Sequence, residues 1–115
     1  MVSACECFHC ATLELVRSSP IKQRLISAYR HLSALTEDQM PGEVREYFGQ
    51  VMRFLRGVKP LRGEDAVTAS VRKMSIDQAD ECASLIVEIF GLLCPAPVAS
   101  TRPRTVVQLR RINPA

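Results

Sequence analysis

The stretch from Ser75 to Pro97 leaves a chain of this size little choice of fold. Ser75 with Gln78 three residues on is a capping box, in which each side chain satisfies a backbone N–H that the first helical turn leaves free. Asp77, Asp80 and Glu81 put negative charge where the helix dipole favours it. Ile76, Ala79, Ala83, Ile86, Phe90 and Leu93 then recur at helical spacing, and Cys82, Leu85 and Ile89 widen the stripe. Pro95 and Pro97 stop it. A face this wide must be covered by other elements. Its most apolar run, Ala83 to Cys94, is broken by Ser84, Glu88 and Gly91, and falls short of the roughly 18–20 residues a membrane span needs. No membrane partner is expected.

Two further stripes lie upstream. Ser18 or Ser19 opens the first predicted helix, with Pro20 at its first helical position, and Ile21, Leu25, Ala28, Tyr29, Leu32 and Leu35 make one face. Thr36 to Gln39 has the spacing of a capping box and makes a turn. The second predicted helix runs from about Pro41 to Arg56, with Val44, Tyr47, Phe48, Val51, Met52 and Leu55 inward. Gly57 is placed to end it, and Gly49 inside it suggests close contact with another helix. Residues 57–63 read as a loop. Residues 64–74 fit two periods: Val67, Ala69 and Val71 alternate as in a strand, whereas Val67, Val71 and Met74 recur as in a helix. A lone strand has nothing to pair with, so a short helix is expected.

The chain of 115 residues, 47% hydrophobic and 23% charged, suffices for one buried core and not for two. The expected fold is all-α, a small bundle of three to four helices with a flexible N-terminal head and C-terminal tail. Residues 1–12 form the cysteine-rich head, 13–95 the helical domain, and 96–115 a basic, extended or disordered tail. The N-terminus has no basic region followed by an apolar one, and five cysteines is an odd number, so reduced thiols and a cytoplasmic location are expected.

Charge is segregated. Arg53, Arg56, Lys59 and Arg62 stand without an acid between residues 53 and 63. Residues 64–94 carry six acids against Arg72 and Lys73, and the tail carries Arg102, Arg104, Arg110 and Arg111 with no acid. These two basic groups could follow nucleic-acid phosphates. Base reading by a helix-turn-helix is disfavoured, because the last helix opens with three acids and carries no Lys or Arg from 75 to 94.

The segment richest in reactive side chains is Cys5-Glu6-Cys7-Phe8-His9-Cys10. Cys7 and Cys10 have knuckle spacing for zinc, and Cys5 or His9 could add a ligand, with Cys94 or Cys82 as a fourth if the head folds back. Cys82 and Cys94 otherwise read as small hydrophobes of the last helix. No pattern fixes a cysteine beside a base, since only His9 and His31 are available. The carboxylates are accounted for by helix starts, and the five glycines are too scattered for a phosphate loop.

The resulting expectation is a non-enzymatic helical interaction or regulatory protein with no cofactor. It would bind a protein partner, or a second copy of itself, through Leu85, Ile89 and Leu92. The alternatives are a nucleic-acid-associated protein using the two basic groups, and a module stapled by zinc on Cys5, Cys7, His9 and Cys10.

Overall fold

The computed structural model describes residues 3–94. Five α-helices follow one another: α1 (Ala4–Leu15), α2 (Ile21–Leu32), α3 (Gly42–Arg56), α4 (Ala66–Lys73) and α5 (Ile76–Leu93), with a 3-10 turn at Glu37–Gln39. No strand occurs among the described residues. The all-α bundle is as expected, and within residues 64–74 the stretch Ala66–Lys73 is helix, not strand. The tail proposed for 96–115 lies outside the described residues.

The head differs from expectation. Residues 4–15 are helical, so the bundle has five helices rather than three to four and begins at Ala4 rather than at residue 13. The cause is local and tertiary together. Ser3 Oγ accepts the Glu6 N–H and Glu6 Oε1 accepts the Ser3 N–H, both at 3.1 Å, which completes a capping box. Phe8, Ala11 and Leu15, spaced three and four apart, are all buried. The Phe8 ring meets the Phe48 ring of α3 edge to face, with centroids 6.3 Å apart, and so ties α1 into the centre of the core.

α1 and α2 form a hairpin closed by Arg24, whose Nη1 donates to the Leu15 carbonyl and whose Nε donates to the Ser19 carbonyl, each at 2.7 Å. Pro20 is the N-cap of α2 rather than its first residue. Leu25, Ala28, Leu32 and Leu35 bury the predicted face. The Thr36–Gln39 capping box is present and turns the chain into α3. There Val44, Phe48, Val51 and Leu55 are buried, while Tyr47 is exposed and Met52 packs at the core's edge. A Cβ at Gly49 would meet only the Arg53 and Glu37 side chains at 3.7 Å, so no helix approaches it closely. Arg56 joins α3 to α2, donating to the Tyr29 hydroxyl at 2.7 Å and to the Ser33 carbonyl at 3.3 Å.

α4 starts at Asp65, whose carboxylate accepts the Thr68 N–H. The buried Ser70 hydroxyl accepts the Val58 N–H and fastens the preceding loop. α5 opens on the Ser75–Gln78 capping box and packs against α1, α2 and α3. Ala79, Cys82, Ile86 and Ile89 are its fully buried line, flanked by the partly buried Ala83, Leu85, Phe90 and Leu93. Ile76, expected inside, is 58% exposed because it precedes the point where α5 enters the bundle.

Candidate functional site: the seam between the first and last helices

α1 and α5 run antiparallel, and their contacts step along both helices together. Cys5 is bonded to Cys94, His9 stacks on Phe90, and Val16 shares a groove with Ala83. The first step is roughly one turn on either helix and the second roughly two. The stripe Cys5, His9 and Thr12, continued by the C-cap Val16, is therefore the face that α1 offers to α5.

The seam is closed at one end by the Cys5–Cys94 disulfide, with Cα atoms 5.6 Å apart. The structure thus replaces the expectation of five free thiols with one bridge and three thiols, Cys7, Cys10 and Cys82. At the other end the seam opens into a groove of about 430 Å3 lined by Leu15, Val16, Ala83, Ser84, Val87 and Glu88. Val16 is 74% exposed and Val87 45%, although both are apolar. In and beside the groove, Asp77, Asp80, Ser84 and Glu88 lie exposed along the outer side of α5 with no base among them.

The residues expected to bind a partner do not make one surface. Ile89 is fully buried, Leu85 packs at the core's edge, and Leu92 is 43% exposed. The exposed apolar groove lies on the α1 side of α5 instead. Sequence periodicity names the wide stripe of α5 but not which part its neighbours leave uncovered.

The cysteine head is spread around α1. Cys5 is in the bridge, His9 is exposed and stacked on Phe90, and Cys7 and Cys10 are half-buried. Burial, the neighbouring Cys10 thiol and Glu6 push the Cys7 thiol up from its ordinary value. Cys82 is fully buried, and burial pushes its thiol up to about 12. Among the described residues, no three His, Cys, Asp or Glu side chains converge as metal ligands. His31 Nε2 lies 3.0 Å from Glu14 Oε2, and Arg17 Nε lies 3.2 Å from the other oxygen. The bond with His31 holds the Glu14 carboxyl below its usual range, helped by Arg17.

The basic residues of 53–63 are also dispersed. Arg56 is engaged by Tyr29 and Ser33, and Lys59 and Arg62 are exposed in the loop. Arg53 lines three shallow depressions of about 300, 290 and 310 Å3, and Glu81 or Glu37 stands with it in two of them. Arg102, Arg104, Arg110 and Arg111 lie outside the described residues. No helix among the described residues is long and apolar enough to cross a membrane. No known protein family, curated protein or solved structure matches this chain.

Proposed function

We propose that this is a non-enzymatic interaction protein whose partner-binding surface is the groove between α1 and α5. The observation that carries the reading is the exposure of Val16 and Val87 on opposite walls of one apolar groove. Isolated exposed apolar residues are ordinary, but two that face each other across a cleft offer a surface that gains by being covered. The acids along the outer side of α5 favour an amphipathic protein segment with an apolar face and a basic flank. The basic residues of 53–63 support a nucleic-acid role less well, because Arg56 is engaged within the fold and acids stand beside Arg53.

The test uses a photo-reactive residue at position 87, with one at the distant, exposed Leu61 as control. A protein captured only from position 87 is then purified, and its affinity is measured against Val16→Asp and Val87→Asp. Both sites are on the surface, so stability should change by no more than about 0.5 kcal/mol. Affinity should fall at least about tenfold, which is 1.4 kcal/mol. Unchanged affinity in both variants refutes the groove. Capture of the chain by itself makes the partner a second copy and refutes the heterologous reading.

A further inference from the structure

We propose that Cys5 and Cys94 form a thiol–disulfide exchange site, a covalent latch between the start of α1 and the end of α5 that small thiols open and small disulfides close. The alignment of the two sulfurs does not depend on the bond itself. Phe8, Ala11 and Leu15 anchor α1 in the core, and the His9–Phe90 stack sets its register against α5 one turn from the bridge. With the bond broken, that packing still presents residue 5 to residue 94, so closure is intramolecular and repeatable. The bridge stands at two helix ends, and both cysteines are only half-buried, within reach of a small thiol. Cys82, enclosed by the core, is shielded from the same chemistry.

The remaining thiols do not compete. Cys7 is two residues from Cys5, and positions so spaced do not share a helix face. Its partly buried thiol is also poorly ionised, and the thiolate is the attacking form. Cys10 lies further along α1, away from the bridge. The latch therefore has a single pairing. Opening it releases the first turn of α1 and the last turn of α5 while the core holds. Closing it fixes, against the start of α1, the point at which the chain continues into residues 95–115 with their four arginines and no acid.

The chemistry balances with a glutathione-type thiol as co-reactant. Its thiolate attacks one sulfur of the bridge, the S–S bond breaks, and the other sulfur leaves as a thiolate that takes a proton. A second small thiol attacks the mixed disulfide and releases the second protein thiol with the oxidised small disulfide. Two electrons and two protons pass to the protein, and the reverse sequence closes the bridge.

The experiment equilibrates the full chain in glutathione buffers of varied composition, quenches with acid, alkylates free thiols and maps the Cys5–Cys94 peptide by mass. A change of about a hundredfold in the square of reduced over oxidised glutathione should carry the site from roughly 90% bridged to roughly 10%. Hydrogen exchange should rise on opening at Glu6, Cys7 and residues 91–94, whose amides are bonded in the closed form, and stay unchanged around Phe48. Cys94→Ser should show the open pattern even in oxidising buffer. If that variant fails to fold, the titration of the unaltered chain decides. A bridge that survives every buffer is a permanent staple, and residues 5 and 94 alkylated in every buffer mean no bridge. Either result overturns the proposal, as does opening without a change in exchange at the two terminal turns. None of these results bears on what the groove binds.

Discussion

His9 lies flat against Phe90, with ring centroids 5.4 Å apart and planes 15° from parallel. The stack pins the exposed side of α1 to α5, one turn from the Cys5–Cys94 bridge. Beneath it, Phe8 fills the core with no exposed surface. Phe8→Ala should therefore lower the free energy of unfolding by about 3–5 kcal/mol, the range for removing a buried aromatic ring. Urea denaturation of oxidised and of reduced protein measures this. A loss below about 1 kcal/mol in both would detach α1 from the core.

Gly49 stands in the third helix where no neighbouring helix needs the space. An added Cβ would sit 3.7 Å from Arg53 Nη1 and from Glu37 Oε2, ordinary contact distances. Alanine there removes the conformational entropy that glycine loses in a helix. Gly49→Ala should stabilise the protein by about 0.5–1 kcal/mol. A lower melting temperature would show that the backbone at this position requires glycine.

Much of this fold is legible in residue order because it is local. The boxes at Thr36–Gln39 and Ser75–Gln78 name two helical starts, and the stripes of α2, α3 and α5 name most of the core. The same signals exist in the head, where Ser3 and Glu6 cap a helix and Phe8, Ala11 and Leu15 share a face. Cys5, Cys7 and Cys10 pull the reading of that segment toward metal chemistry, and a helix this short yields only three buried residues to outweigh them. The candidate site is less legible. The Cys5–Cys94 pairing spans 89 residues, and only the packing of α1 on α5 brings its two ends together. Whether Val87 or Ile89 faces solvent depends on which neighbours cover α5, and the wide stripe of that helix is compatible with either.

Thr12 falls on the stripe that α1 turns toward α5, and its hydroxyl oxygen is buried without a hydrogen-bond partner. Such a group loses its water and gains nothing in return, at a cost of about 1–3 kcal/mol. Thr12→Val keeps the branched shape and removes the unsatisfied group. It should raise stability by about 1 kcal/mol in denaturant unfolding, with Thr12→Ser as the control that keeps the hydroxyl. A valine variant less stable than the native protein would mean that the hydroxyl is satisfied in solution, by a water or by the Phe8 carbonyl one turn earlier.

Three carboxyl groups are held below their ordinary values, and they should shape the acid limb of stability. His31 bonded to Glu14, Arg72 bonded to Glu64, and the Thr68 side chain and N–H bonded to Asp65 each hold the carboxyl below its ordinary value, 4.5 for glutamate and 3.8 for aspartate. A carboxyl depressed in the folded state takes up protons more readily when unfolded. Its contribution is thus fully present above the ordinary value and disappears as pH falls through the depressed one. Stability should be flat with respect to these groups above about pH 5 and should fall steadily below about pH 4.5. Glu64→Gln and Glu14→Gln should each make that fall shallower while leaving Cys7 and Cys82 untouched. Arg72 holds Glu64 through two contacts from one guanidinium, at 2.9 and 3.1 Å, so the Glu64→Gln change removes a bidentate pair and should show in the slope. Thermal melting from pH 3 to pH 7 in a single buffer of constant ionic strength reads the slopes directly. A Glu64→Gln variant with the native slope would show that the pair exchanges with water in solution and contributes nothing to the acid transition.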